Sequence, residues 1–231
     1  MSLGDNNMIG LEGIAPQMLS DTIGAIYDCA LAPDRWQDAV HRIVELSESQ
    51  GCGVCVHDMK NFQNDRLFES GYDPEFSRLH AQNMADSPFV AAASLANVGD
   101  VATLALTCSD HELRESRFYR EVMQPFGYID LIGLIGLKTA GRIANLHAGR
   151  TERASRYGER DIGIFRLLSP HICRTLTISD ALDIRTLRSE MLEATLDGLA
   201  AGVYLTRRDG RVVYMNATAE RQVKRAVLSA S

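Results

Sequence analysis

The residues with the clearest capacity for chemistry are two cysteines three positions apart, Cys52 and Cys55. A thiol pair at this spacing binds zinc only when a second pair completes four ligands, and the sequence contains no second pair. A redox pair should precede a helix, whose N-terminus lowers the thiol pKa. This pair lies on a predicted strand, where positions three apart face opposite sides of a sheet. We interpret both as buried structural cysteines and predict no metal site and no catalytic residue.

A second group of residues is typical of a small-molecule pocket. Cys55 and His57 share one face of the predicted strand, and His147 lies on a later strand, so the three line one cavity if the strands are neighbours. Aromatic residues on the intervening helices either fill a core or wall that pocket, and the sequence leaves both readings open. The candidate pocket-lining residues are Cys55, His57, Tyr72, Phe89, Phe118, Tyr119 and His147.

Sequence motifs for nucleophilic catalysis or phosphate binding do not stand out. Gly-x-Ser-x-Gly is absent. Gly133-Leu-Ile-Gly136 falls within a predicted strand. Its glycines indicate positions where another part of the chain packs closely on a sheet, rather than a phosphate-binding loop. The sequence therefore predicts no particular cofactor.

Composition limits the class of protein. The chain has 231 residues, of which 45% are hydrophobic and 23% charged, and these values exclude disordered, collagenous and disulfide-scaffold proteins. The longest apolar stretch, 131–137, is too short to span a membrane, and no secretory signal is visible at the N-terminus. Five cysteines without a regular framework favour a reducing compartment. We expect a cytoplasmic protein with no membrane partner.

Charge is unevenly distributed along the chain. Residues 1–139 carry a net charge of −11 and residues 140–231 a net charge of +5. The acidic first part argues against direct contact with nucleic acid there, because phosphate contacts require a positive face. The arginines of the second part are scattered, which is typical of a solvated helix surface.

Hydrophobic periodicity divides the chain into alternating helices and hairpins. The two clearest hairpins pair 52–59 with 66–70 and 128–138 with 142–148. This order predicts an α+β fold, an antiparallel sheet flanked by helices. The predicted organisation is a flexible leader (1–16), a globular domain (17–157), a long linker and dimerisation helix (158–198) and a smaller second unit (199–231).

The long helix carries an apolar stripe at spacings of three and four over roughly 40 residues, which corresponds to about 60 Å. Pro170 is predicted to kink it, because proline removes one backbone hydrogen bond. Parallel pairing of two such helices would bury the stripe and produce a homodimer. The predicted dimerisation seam is Ile172, Leu176, Ile184, Leu187 and Met191.

Residues 189–220 resemble the opening of a PAS domain. A helix, a strand, the turn Asp209-Gly210, a second strand and Asn216-Ala-Thr-Ala-Glu220 follow one another in the order of that family. The resemblance covers the first third of such a domain. It therefore implies a truncated PAS-like hairpin after the long signalling helix.

The preceding region is similar to the N-terminal sensory part of LuxR-type bacterial transcriptional regulators. The resembling stretches are Ala25-Ile-Tyr-Asp-Cys-Ala-Leu-Ala-Pro-Asp-Arg-Trp36, Phe118-Tyr-Arg-Glu-Val-Met-Gln-Pro-Phe-Gly127 and Leu167-Leu-Ser-Pro-His-Ile172. The resemblance implies a GAF-like domain without catalytic activity. It also implies that DNA is contacted only through a C-terminal helix-turn-helix domain absent from this chain.

Three functional hypotheses follow. The first is a sensory and dimerisation region that relays a small-molecule or conformational signal along the long helix to the DNA-binding domain. The second is a GAF-like enzyme or redox sensor that uses Cys55 or Cys108. The third is a scaffold that dimerises without a ligand. Ligand identity stays open.

Overall fold

The computed structural model describes residues 14–59 and 63–229 of the chain. Most of the predicted leader, 1–16, therefore lies outside the described residues. The chain divides into two compact units, the first ending at Ser179 and the second beginning at Asp180. Within the described residues, no helix combines the length and the hydropathy that crossing a membrane requires.

The first unit is built around a five-stranded sheet with the order β2-β1-β5-β4-β3, in which every neighbouring pair is antiparallel. Its strands are β1 (Gly51–Asp58), β2 (Gln63–Ser70), β3 (Val101–Thr103), β4 (Tyr128–Lys138) and β5 (Arg142–Thr151). Both predicted hairpins are confirmed as β1–β2 and β4–β5. The edge strand β3 was not predicted, because three residues are too few to show an alternating pattern.

Helical segments cover both faces of this sheet. The α-helices are α1 (Pro16–Asp28), α2 (Trp36–Ser47), α3 (Pro74–Gln82), α4 (Pro88–Leu95), α5 (Leu104–Thr107), α6 (Asp110–Glu115) and α7 (Glu159–Asp197). One hydrophobic core joins α1, α2 and α7 to the face that carries Cys52, Val54 and Leu146. A second core lies on the opposite face, around Phe76, Phe118 and Tyr128. The α+β arrangement predicted from the sequence is confirmed.

Local capping explains where the helices of the second core begin. The Asp73 carboxylate accepts the backbone N–H of Glu75 at 2.8 Å and starts α3. Ser109 and Glu112 form a reciprocal capping box at the start of α6. α6 ends before Ser116, whose ψ of 147° is extended. The chain then resumes as a π-helical turn, Tyr119–Met123.

The predicted long helix is confirmed as α7, which has 39 residues and contains Pro170. Its first part packs on β4 so closely that Gly136 has no room for a side chain, because a Cβ there would overlap Leu176 Cδ1. We expect Gly136→Ala to lower the free energy of unfolding by about 1–3 kcal/mol, as overpacked cores do. Urea denaturation measures this effect. Gly141→Ala is the matched control, because a Cβ at Gly141 meets nothing within 4 Å; equal losses in the two variants would contradict the packing argument.

The second unit contains the last part of α7, the hairpin of β6 (Tyr204–Thr206) and β7 (Val212–Met215), and α8 (Ala217–Ser229). Asn216 is fully buried and makes hydrogen bonds in four directions. Its amide nitrogen donates to the carbonyls of Leu196 and Ala201, and its Oδ1 accepts from the backbone N–H groups of Val203 and Ala219. One side chain thus ties the end of α7 to the hairpin and to α8.

Candidate ligand-binding site

The candidate site lies on the sheet face that carries the second core. Gly53 of β1 pairs with Glu69 of β2 on one side and with His147 of β5 on the other. Two residues further along β1, Cys55 pairs with Asn145 of β5. Because alternate residues of a strand share a face, these residues form one contiguous surface. The condition on which the predicted pocket depended, that the strands of His57 and His147 are neighbours, is met.

Glycines form the floor of this surface and leave room for the rings above it. A Cβ at Gly51 would come within 2.5 Å of the Tyr72 ring, and a Cβ at Gly53 would come within 2.8 Å of the His147 imidazole. A Cβ at Gly149 would likewise meet Tyr128 at 2.8 Å. The glycines of β1 and β5 are therefore required by the rings stacked above them.

The rings form a continuous stack. His147 stacks on Tyr72 with ring centroids 5.5 Å apart and on His80 with centroids 4.9 Å apart. Phe76 stacks on Tyr72 and His80, and Phe118 meets His80 edge-on at 5.7 Å. Such aromatic pairs each contribute about 0.5–1.5 kcal/mol beyond the area that they bury.

Four polar atoms of the stack and of β5 have no hydrogen-bond partner among the described residues: Tyr72 Oη, Asn145 Oδ1, and Nδ1 and Nε2 of His147. The Glu69 carboxyl is close to His147, but its Oε1 lies 3.9 Å from Nε2, beyond hydrogen-bond distance. A buried polar group without a partner costs about 1–3 kcal/mol. Three such side chains on one sheet face mark a place that polar groups of a ligand would satisfy.

Burial disfavours the charged forms of the ionisable groups of the site. It lowers the pKa of His80 to about 4 and, together with the neighbouring His80 and His57, lowers the pKa of His147 well below its usual range. The same desolvation raises the pKa of the Tyr72 phenol and of the Glu69 carboxyl. The site thus offers neutral donors and acceptors beside aromatic surface.

The cysteines do not have the environment of reactive thiols. Burial, with the Glu69 carboxylate adding to it, raises the pKa of Cys55 to about 12, although its Sγ lies 3.8 Å from His57 Nδ1. Burial also raises the pKa of Cys52 and of Cys108. Cys52 packs in the opposite core, as the strand alternation predicted. Raised pKa values disfavour the thiolate on which the enzyme and redox hypotheses depend.

The other predicted pocket residues fall around this stack. Phe89 and Tyr119 are half-buried and pack against the second core, which also contains Phe118. Sequence reasoning had not placed His80, Glu69 and Asn145 in the site. Two of the three carried a usable signal, because Asn145 lies two residues before His147 and His80 lies one helical turn after Phe76. In residues 14–59 and 63–229, no three His, Cys, Asp or Glu side chains are grouped so as to hold a metal ion.

The predicted dimerisation seam is divided by the structure. Ile172 and Leu176 are buried in the core of the first unit, at 0% and 4% exposure, and a second chain would reach them only if that core opened. Ile184, Leu187 and Met191 belong to the second unit and are exposed. Only these three of the five seam residues offer a free surface.

No protein-family model matches the sequence, and no curated protein matches it. Solved structures do resemble the fold. The ligand-binding domain of VqsR from Pseudomonas aeruginosa has a TM-score of 0.56 at 16% identity, over 70% of this chain and 96% of that one. CepR2 from Burkholderia cenocepacia, an N-acylhomoserine lactone dependent LuxR-family transcription factor, has a TM-score of 0.51 at 12% identity, over 69% of this chain and 91% of that one.

The fold is LuxR ligand-binding-domain-like. A GAF domain/HD domain protein from Geobacter sulfurreducens also matches, over 72% of this chain and 96% of that one, with a TM-score of 0.43 at 11% identity. At such identities the likeness to VqsR and CepR2 establishes the architecture alone. That architecture is the one implied by the resemblance of 25–36, 118–127 and 167–172 to LuxR-type sensory regions.

Proposed function

We propose that the first unit is the sensory domain of a LuxR-type transcriptional regulator and binds an uncharged small molecule at the stack of Tyr72, His80 and His147. The observation that carries the proposal is the set of unpartnered polar atoms on Tyr72, Asn145 and His147. An evolved core seldom retains several such groups in one place unless they serve a function. The likeness to two LuxR-family proteins supports the same role.

The chemistry of the stack indicates which ligand class it would accept. Neutral imidazoles and a phenol donate and accept hydrogen bonds, and the neighbouring rings offer flat apolar surface. The Glu69 carboxyl lies 3.9 Å from His147 Nε2, and in its ionised form it would repel an anion placed there. We therefore expect a neutral ligand that has both hydrogen-bonding and apolar parts.

The remaining elements would transmit the bound state. We propose that residues 158–198 act as a linker helix, that 199–231 are the start of a PAS-like domain, and that DNA is contacted by a domain outside this chain. The continuity of α7 from Glu159 to Asp197 supports this arrangement, because one helix belongs to both units. The raised pKa values of Cys55 and Cys108 favour a non-catalytic role.

A thermal-shift titration with N-acylhomoserine lactones of increasing acyl length tests the site, with a nucleoside monophosphate as the anionic comparison. We expect an uncharged compound at roughly 100 times its Kd to add about 2.7 kcal/mol to the free energy of unfolding. Tyr72→Phe removes a hydroxyl that has no partner in the described part of the chain, so the free protein should keep its stability or gain up to about 1 kcal/mol. The same variant should lose most of the ligand-induced shift.

Tyr157→Phe is the matched control, because the buried Tyr157 hydroxyl lies 2.8 Å from Ser49 Oγ and forms a hydrogen bond with it. It should destabilise the free protein by about 1 kcal/mol and leave the ligand response intact. The assignment of Tyr72 to the ligand-binding site would be overturned if Tyr72→Phe lost as much stability as Tyr157→Phe and kept its ligand response. A shift produced by the nucleotide alone would overturn the expected ligand class.

A further inference from the structure

The unpartnered polar atoms of the candidate site include more acceptors than donors. The Oδ1 atom of Asn145 can only accept a hydrogen bond. A neutral imidazole carries one proton, so one of the two unpartnered ring nitrogens of His147 donates and the other accepts. The Tyr72 hydroxyl can do both. Two of these atoms, one on Asn145 and one on His147, therefore need a hydrogen that no described residue supplies.

The Glu69 carboxyl adds to this excess of acceptors, because in its ionised form it can only accept. Its Oε1 lies 3.9 Å from His147 Nε2, so one donor atom of a ligand can lie within hydrogen-bond distance of both. Gly53 permits this close approach, since a Cβ there would lie 2.8 Å from the His147 ring and 3.1 Å from Glu69 Cγ. His147 itself is only 9% exposed, so its nitrogens depend on a partner inside the site.

We propose that the site selects a neutral aromatic ligand with at least two O–H or N–H groups, from which Asn145 and His147 accept hydrogen bonds. The inference rests on the proposed function and adds to it the kind of ligand. A simple N-acylhomoserine lactone has one N–H and several carbonyl oxygens, so it would leave one of the two acceptors without a hydrogen. A site built to bond a ligand hydroxyl rejects an analogue that lacks it, because the polar groups of the site then stay unpaired.

The strand β5 sets the distance between the two donor groups of such a ligand. Asn145 and His147 are two residues apart on one face of β5, so their backbones are about 7 Å apart along the strand. The rings of Tyr72 and His80, which stack on His147, provide flat apolar surface beside them. A compound of two fused aromatic rings with a hydroxyl on each ring fits both features.

Isothermal titration calorimetry of the full chain with naphthalene-2,7-diol and with its dimethyl ether tests the need for donors. The two compounds share the same rings, and the ether keeps both oxygens but has no hydroxyl hydrogen. We expect the diol to bind at least about tenfold more tightly than the ether, because the ether leaves both acceptors unsatisfied. Equal affinities of the two compounds, or no binding of the diol, would overturn the proposal.

The variant His147→Phe separates hydrogen bonding from the bulk of the methyl groups. Phenylalanine keeps a ring in the stack but has no nitrogen, so the preference for the diol should fall below about threefold. His171→Phe is the matched control, since His171 also contacts a tyrosine, with its Nδ1 3.0 Å from the Tyr27 hydroxyl, but it lies on α7. It should keep the full preference. A preference unchanged in His147→Phe would overturn the proposal.

Asn145→Leu is the second variant, at a residue that is only partly buried, and it keeps the test decisive if circular dichroism shows His147→Phe unfolded. It should also reduce the preference for the diol, and an unchanged preference would overturn the proposal. The failure of the ligand class differs from the failure of the site. If a lactone binds in a way that depends on Tyr72 and the diol does not bind, only the need for two donors is wrong. If the binding of no compound depends on Tyr72, the proposed function is wrong as well.

Discussion

Asp161→Ala is expected to lower the free energy of unfolding of the first unit by about 3–5 kcal/mol, because it leaves a buried arginine without its counter-ion. Arg150 and Asp161 are 5% and 6% exposed, and the guanidinium donates two hydrogen bonds to the carboxylate, at 3.0 Å and 2.8 Å. The carboxylate also accepts the Gly158 N–H at 2.8 Å, at the start of α7. One substitution therefore breaks both the ion pair between β5 and α7 and the cap of the long helix.

The matched control is Glu121→Ala, which breaks the exposed pair of Arg117 and Glu121. Exposed pairs contribute about 0–1 kcal/mol. The double variant Arg150→Met with Asp161→Leu should recover part of the loss, since no charge stays buried. Recovery should be incomplete, because Arg150 also donates to the Ser47 carbonyl at 2.6 Å. Urea denaturation measures all three, and a loss in Asp161→Ala no larger than in Glu121→Ala would contradict the role of the pair.

Acidification is expected to destabilise the first unit through its buried histidines. Burial lowers the pKa of His80 from 6.5 to about 4 in the folded protein. As the pH falls below 6.5, His80 binds a proton in the unfolded chain but not in the folded protein. The contribution of neutral His80 to the free energy of unfolding is therefore complete above pH 6.5 and is lost as the pH falls toward 4. His80 alone should remove about 2 kcal/mol by about pH 5. His147, whose pKa is also lowered, acts in the same direction.

The comparison with His80→Phe isolates this effect. Phenylalanine keeps the aromatic contacts with Phe76, Phe118 and His147 but does not titrate. Glu69 acts in the opposite direction, because its raised pKa favours protonation of the folded form, and this contribution is common to both proteins. The variant should lose about 2 kcal/mol less than the wild type between about pH 7.5 and about pH 5. His111→Gln replaces an exposed histidine and is the control. If the free energies of unfolding of wild type and His80→Phe changed equally with pH, the role of His80 would be contradicted.

Local signals in the sequence accounted for the elements of the fold. The alternating pattern of β1 placed Cys52 and Cys55 on opposite faces, and the structure confirms this, with Cys52 in the core under α1 and α2. Asp73 and Ser109 have acid and hydroxyl side chains of the kind that cap helices, and each stands at the start of a helix. In contrast, β3 and the break at Ser116 depend on tertiary packing, and no periodic pattern in the sequence predicts either of them.

The sequence by itself determined the α+β class, both hairpins, the length of α7 and the shared face of Cys55 and His57, because each follows from propensity and periodicity within a few residues. Only the tertiary structure decided which apolar residues of α7 are available to a partner. Ile172 and Ile184 are the same residue type on the same predicted apolar stripe, but only Ile172 is covered by the core of the first unit. It also decided which polar groups lie together. His80, His147 and Tyr72 meet through contacts between distant parts of the chain, and such contacts leave no trace in a local pattern.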